Sequence, residues 1–218
     1  MKMRTILHLC MLAVVAPLAH AYDFRPTAAE WGTWPEYCQA KYVVTNVGST
    51  SSFRSRVSAE VVDHWRRALG EEVWLPVHHG CAGFIWILRA ERLRGKAQRE
   101  YDFALGKAVD ESMYTLQRIP PSHPVHQKLR LVLARVEHHR GNVQNCFTML
   151  DQLLAEVPEM AEAYSVYATY LYRDKQFERA RAVLERGLDE VPEPTAEMHY
   201  FLGLVLLRQK AYEEARVQ

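Results

Sequence analysis

The sequence predicts an all-α fold: an α-solenoid of antiparallel helical hairpins with an irregular helical cap at its N-terminal end. The 218 residues are 49% hydrophobic and 24% charged, an ordinary globular composition that provides for a proper core. Residues 127–218 repeat their small and large apolar positions with a period of about 34 residues, which is typical of stacked helical hairpins. All five tryptophans lie before residue 90, so the preceding part has a different character.

The first 21 residues have the pattern of a secretory signal peptide. Lys2 and Arg4 precede a mostly apolar stretch, and the small-x-small pattern of residues 19–21 predicts cleavage before Tyr22. The apolar stretch is shorter than the about 20 residues that a membrane-spanning helix needs, and no later segment is long and apolar enough. We therefore expect a periplasmic or secreted protein that does not span a membrane.

Residues 22–77 are predicted to form a Trp-rich cap with a polar loop at 45–52, in which the tryptophans belong to the core. Ser58 is predicted to be the N-cap of a helix over Ala59–Leu69. Residues 78–124 are predicted to form a longer, atypical helical hairpin, which ends at a proline-rich stretch. We expect the cap to pack on this hairpin, because a terminal unit of an array needs a different outer face.

The regular array is predicted to consist of three hairpins, over residues 127–160, 161–194 and 196–218, the last of them incomplete. Small residues at one repeat position allow the first helix of each hairpin to approach its partner closely: Ala134, Ala168 and Gly203. Large residues at another position fill the adjacent space: Val143, Phe177 and Tyr212. Pro158 and Pro192 follow the second helices, where a missing N–H and a fixed φ end a helix.

These positions resemble the tetratricopeptide repeat (TPR) family. The resemblance rests on Tyr164-x-x-Tyr167-Ala168 with Phe177-x-x-Ala180 and Pro192, and on Leu202-Gly203 with Tyr212-x-x-Ala215. It implies an adaptor or scaffold that binds a protein or peptide, in the assembly of an envelope complex such as a pilus, a secretion machine or a cytochrome-maturation system. Repeats of this kind serve unrelated partners, so the resemblance favours a fold more specifically than a function.

In such repeats the first helices line a concave face, which takes a peptide or helix of the partner. Repeat position assigns four residues of each hairpin to that face. In the first hairpin they are Lys128, Leu131, Arg135 and His138; in the second, Glu162, Ser165, Thr169 and Tyr172; in the third, Glu197, Tyr200, Leu204 and Arg208. The mixture of tyrosines and cations suits an extended or helical peptide.

No residue pattern predicts an enzyme or a cofactor. The chain has no phosphate-binding glycine loop, no nucleophile elbow and no His-Glu-x-x-His metal motif. A formal net charge of +1 is a poor match for a nucleic-acid binder, which needs a basic face that neutralises phosphates. We therefore expect a non-enzymatic protein whose partner is not a nucleic acid.

Cys38 and Cys81 are predicted to form a disulfide in an oxidising compartment, closing a loop of about 40 residues. The alternative is a metal, haem or thiol-redox site that uses Cys38, His78, His79 and Cys81. The absence of Cys-x-x-Cys and of the usual histidine spacing weighs against that alternative without excluding it. Cys146 occupies a small-residue position of the first repeat and is predicted to be a buried free thiol.

The third hairpin stops about three residues after Ala215, so part of its apolar surface lacks a cover. Either the sequence is truncated there, or a partner or a second copy of the chain packs on this end.

Overall fold

The computed structural model describes residues 22–218, and the predicted signal peptide, residues 1–21, lies outside the described residues. Residues 22–218 form eleven α-helices and contain no strand. The helices pack in adjacent pairs along the array, which confirms the all-α class and the TPR-like solenoid. None of the helices within residues 22–218 has the length and apolarity to cross a membrane.

The N-terminal cap contains three short or irregular helices and two 3-10 turns. Their bounds are α1 Ala28–Thr33, α2 Glu36–Tyr42, the turns Gly48–Thr50 and Arg54–Arg56, and α3 Ala59–Trp74. The Ser58 hydroxyl accepts a hydrogen bond from the Val61 N–H and thereby caps α3, as the sequence predicts. At Gly70, α3 kinks because this glycine has a φ of 73°, a left-handed conformation that an L side chain rarely adopts.

The remaining helices form hairpins. Their bounds are α4 Val77–Leu93, α5 Gln98–Leu116, α6 Pro124–His139, α7 Val143–Glu156, α8 Ala161–Arg173, α9 Phe177–Glu190, α10 Ala196–Arg208 and α11 Tyr212–Arg216. Helices α4 and α5 are the longest pair and approach each other closely at Gly83, where an added Cβ would lie 2.5 Å from the Ser112 Oγ. The first helices α4, α6, α8 and α10 contact one another in sequence, so together they form one continuous face, which we call the first-helix face.

The turn between the two helices of each repeat has the same backbone conformation. Gly141, Lys175 and Lys210 occupy equivalent positions and all have positive φ, at 83°, 60° and 62°. Only the first of the three uses glycine, although this region of φ and ψ costs other residues energy. The backbone geometry therefore repeats more strictly than the residue types do.

Three apolar clusters hold these elements together. The first joins the cap to α4 and continues to Val125 and Leu129 of α6. The second joins all three repeats and contains the small residues Ala134 and Ala168, which are buried as predicted. The third lies between α4, α5 and α6. Because the first and third clusters both reach α6, the cap and the atypical hairpin are packed onto the repeats.

Candidate functional site

The first-helix face carries two adjoining cavities. One, the repeat cavity, has a volume of about 360 Å³ and is lined by residues of α4, α6, α8 and α10: Glu91, Arg94, Arg135, His139, Ser165, Val166, Thr169, Tyr170, Arg173, Glu197 and Phe201. The other, the cap cavity, has a volume of about 250 Å³ and is lined by residues of the cap, α4, α6 and α8: Thr33, Pro35, Phe84, Leu88, Lys128, Leu131, Val132, Arg135 and Glu162. Arg135 borders both cavities and stands between them.

Arg135 is held in place by an ion pair. Its Nη2 donates to the Glu91 Oε1 over 2.8 Å, and the His139 Nε2 lies 3.6 Å from the same oxygen. The Tyr101 hydroxyl donates to the His139 carbonyl oxygen over 2.8 Å and thereby fixes the position of that residue. Contacts from three helices therefore define the boundary between the cavities.

The same contacts shift two pKa values. Burial by itself would raise the pKa of Glu91, but the His139 imidazole and the Arg135 guanidinium lower it to about 2. Burial would lower the pKa of Arg135, but the Glu91 carboxylate more than offsets this, so the pKa is raised. Both groups are consequently ionised at neutral pH, and the charge of Arg135 is largely neutralised by its partner.

Other charged residues of the two cavities are free to meet a partner. Arg94 and Arg173 border the repeat cavity and Lys128 borders the cap cavity; none of the three has a carboxylate within 4.0 Å among residues 22–218. Glu162 and Glu197 likewise have no cation that close within the described chain.

Two polar atoms in the wall of the repeat cavity have no hydrogen-bond partner within the described chain. They are the Oγ of Ser165, a residue that is 2% exposed, and the Nε2 of His139. Buried polar atoms are normally hydrogen-bonded. A polar group that enters the cavity and reaches these atoms would supply the hydrogen bonds they lack.

Part of the predicted groove set lines the two cavities. Lys128, Leu131 and Arg135 line the cap cavity, together with Glu162. Arg135, Ser165 and Thr169 line the repeat cavity, together with Glu197. Whether these residues bind a partner stays a prediction.

The other predicted groove residues lie outside the two cavities. His138 is buried and stacks on Tyr170, with ring centroids 3.7 Å apart and an interplanar angle of 4°. The Arg208 Nε donates to the Tyr172 hydroxyl over 2.7 Å. Tyr200 is exposed and Leu204 is half-buried. A role for these residues in binding also stays a prediction.

Several lining residues were not predicted from the sequence. His139 and Arg173 occupy equivalent positions of the first and second repeats, so the repeat period contains a signal that identifies both of them. Glu91 and Arg94 belong to α4 and its C-terminal end, and Thr33 and Pro35 belong to the cap. These two elements lie outside the regular period, so the repeat pattern contains no signal for their residues.

The cysteines of the cap and α4 lie together. The Sγ atoms of Cys38 and Cys81 are 1.97 Å apart and their Cα atoms are 5.5 Å apart, as in a disulfide bond. Both residues are fully buried. Cys146 is a buried free thiol, as predicted, and burial raises its pKa to about 12. A thiol in this state is a weak nucleophile at neutral pH.

The rings of His78 and His79, close to Cys81, lie 4.4 Å apart between centroids, and both pack against the Tyr22 ring, at 4.6 Å and 5.3 Å. The His79 Nδ1 also lies 2.6 Å from the Glu111 Oε2. Burial, followed by the nearby His79 and Lys41, lowers the pKa of His78 to about 3. Within residues 22–218, no group of three His, Cys, Asp or Glu residues is arranged to hold a metal ion.

Residues 139–217 match the family model of anaphase-promoting complex, cyclosome, subunit 3, which is a TPR-type repeat family. The matched segment begins at the end of α6 and includes α7 to α11. No curated protein and no solved structure matches the chain.

Proposed function

Because the C-terminal hairpins are TPR-type repeats, we propose that the chain is a non-enzymatic adaptor that binds a segment of a partner protein on its first-helix face. TPR-type repeats typically bind other proteins. The segment lies across α4, α6 and α8 and enters both cavities. The adaptor acts outside the cytoplasm, after removal of residues 1–21, and contributes to the assembly of an envelope complex.

The observation that carries this proposal is the pair of adjoining cavities on the first-helix face. Together they offer apolar surface at Phe84 and Leu88, free cations and two unpartnered polar atoms. Peptide-binding sites combine such apolar pockets with a few polar groups that fix the orientation of the ligand. The outer helices α7 and α9 contribute no lining residue to either cavity.

An oxidising compartment also accounts for the cysteines. We infer that Cys38 and Cys81 are joined as a disulfide that fixes α2 to α4 and so supports the Pro35 side of the cap cavity. We also propose that a partner or a second copy of the chain packs on the C-terminal end. The exposed side chains there include Tyr200, Leu207 and Tyr212, which such a contact would cover.

A site-specific photocrosslinker tests the binding face. A photoreactive phenylalanine analogue replaces Phe201, which lines the repeat cavity and is half-buried. The matched control carries the same analogue at Phe103, an aromatic residue of α5 that is 57% exposed and lines neither cavity. In native cells we expect the Phe201 probe to capture one or a few defined proteins that the Phe103 probe does not capture. The same capture pattern from both positions would contradict binding on this face.

A further inference from the structure

We propose that the two cavities together recognise a linear peptide that carries a bulky apolar side chain and, close to it, an acidic side chain. This inference rests on the proposed adaptor function and specifies the class of peptide that the adaptor takes. The apolar side chain enters the cap cavity and the acidic side chain enters the repeat cavity.

The cap cavity has the lining of an apolar pocket. Leu131 and Val132 are almost completely buried at its base, and half-buried Phe84 and Leu88 form one side. Its volume of about 250 Å³ lies below the ~300–1,000 Å³ of usual small-molecule sites. The cavity therefore suits a single large side chain better than a cofactor or a complete helix.

The cap closes this cavity on one side. Thr33 and Pro35 lie at the junction of α1 and α2 and line the cavity opposite the repeats. A TPR array alone has no residues at this place, so this part of the pocket belongs to the cap. A peptide that lies along the first-helix face meets the cap here and has to place a side chain in the cavity or turn away.

The repeat cavity has two free arginines and one free carboxylate, that of Glu197, so its net charge favours an anion. Arg94 and Arg173 border it and are exposed, with no carboxylate within 4.0 Å among residues 22–218. The unpartnered Ser165 Oγ lies in the wall and can donate a hydrogen bond to a carboxylate. Glu91 does not oppose an incoming anion strongly, because its charge is neutralised by Arg135 at 2.8 Å.

The proximity of the two cavities sets the spacing within the peptide. They share Arg135 as a common boundary, so the apolar and the acidic side chains must lie within a few residues of each other. Lys128 and Glu162 both border the cap cavity and contribute opposite charges there. A peptide with a lysine in place of the acidic residue would face Arg94 and Arg173 in the repeat cavity and bind less tightly.

The test is selection of a random peptide library, displayed on phage, against the purified chain. We expect the enriched peptides to combine a leucine, methionine or aromatic residue with an aspartate or glutamate nearby. A fluorescent peptide of enriched sequence then reports affinity by anisotropy. In the Arg94→Glu/Arg173→Glu variant, Kd should rise by about tenfold or more, and a lysine in place of the acidic residue should restore part of the affinity.

The control is Arg99→Glu, a charge reversal at an exposed residue of α5 that lines neither cavity; it should leave Kd unchanged. The apolar subsite is tested by Leu88→Gln, which should abolish the preference for a bulky residue while circular dichroism stays that of the wild type. Enriched peptides without an apolar or an acidic residue, or a Kd insensitive to Arg94→Glu/Arg173→Glu, would overturn the inference. Failure to enrich any peptide would also overturn it, but the proposed function survives that result if the Phe201 probe still captures a partner.

Discussion

His138 illustrates how a residue placed on a binding face by repeat position becomes part of the packing instead. Its ring is buried against Tyr170, and neither ring nitrogen has a hydrogen-bond partner within the described chain. The charged groups around it are Asp174, whose Oδ2 is 3.9 Å away, with His139, Arg94 and Arg173 farther off. Burial lowers the pKa of His138 to about 4, so the folded protein holds this imidazole neutral.

This lowered pKa predicts a loss of stability in acid. The unfolded chain binds a proton at His138 near pH 6.5, whereas the folded chain does so only near pH 4, so acid favours unfolding between these values. The His138→Phe variant keeps the stacked ring and removes the titration. Between pH 7 and pH 4.5, we expect the unfolding free energy of the wild type to fall by about 1–3 kcal/mol more than that of the variant. At pH 7 the variant should be as stable as the wild type or slightly more stable.

The measurement is urea denaturation at several pH values, followed by far-UV circular dichroism. His64→Phe is the control, because His64 is an exposed residue of α3, and it should reproduce the pH dependence of the wild type. If His138→Phe loses stability in acid as steeply as His64→Phe, then His138 does not carry this sensitivity.

At the scale of the helices, close approach between α4 and α5 depends on Gly83. A Cβ at this position would lie 2.5 Å from the Ser112 Oγ and 3.3 Å from the Ser112 backbone nitrogen. Ser112 is fully buried, so its backbone cannot move aside without disturbing the pair. We expect Gly83→Ala to lower the free energy of unfolding by about 1–3 kcal/mol, as overpacked interfaces do.

Gly106→Ala provides a matched comparison. Gly106 lies in the middle of α5, and a Cβ added there meets no atom within 4 Å. Since alanine is the better helix former, this change should raise the free energy of unfolding by about 0.5–1 kcal/mol. Thermal denaturation of both variants decides the point: a Gly83→Ala protein as stable as Gly106→Ala would mean that the two helices are not in tight contact at Gly83.

Most helices could be predicted from local signals in the sequence. The hydroxyl of Ser58 marks the start of α3, and the apolar period places the three repeat hairpins. The sequence predicts an end at Leu69, and the helix is indeed interrupted there by the positive φ of Gly70; the second helical piece, up to Trp74, could not be predicted from the local pattern. The start of α6 at Pro124, three residues before the predicted hairpin, follows from the His123 side chain, which caps this helix by accepting from the Val125 N–H.

The candidate site could be predicted only in part, for a reason that concerns the whole molecule. Lys128, Arg135 and Thr169, which repeat position assigns to the concave face, line the cavities. The period says nothing about Glu91 of α4 or Pro35 of the cap, because neither element follows it. Which residues complete the two cavities depends on how the cap and the atypical hairpin dock on the repeats, and that docking is a tertiary property.

The docking of the cap gives a further prediction. If Cys38 and Cys81 are bridged, the Cys38→Ser/Cys81→Ser variant should lose about 3–4 kcal/mol of unfolding free energy, because the unfolded chain regains the freedom of the closed loop. A reductant should destabilise the wild type by a similar amount and leave the double variant unchanged. Urea denaturation with and without dithiothreitol measures both effects.

Cys146→Ala is the control for this experiment. It removes the free thiol at a position where the second repeat has Ala180, and it should keep the wild-type response to the reductant. A wild-type protein that is indifferent to dithiothreitol would show that the bridge is absent or does not contribute to stability.

The apolar cluster that runs from the cap through α4 into α6 also limits how this protein can change in length. A duplicated hairpin of repeat type would find compatible neighbours between α7 and α8 or between α9 and α10, where each unit already stacks on another of its kind. The same insertion before α4 would separate Trp74 and Cys81 from the residues they pack against. Gene duplication can therefore lengthen the molecule by adding hairpins among its repeats, whereas an insertion between the cap and α4 would disrupt their shared core.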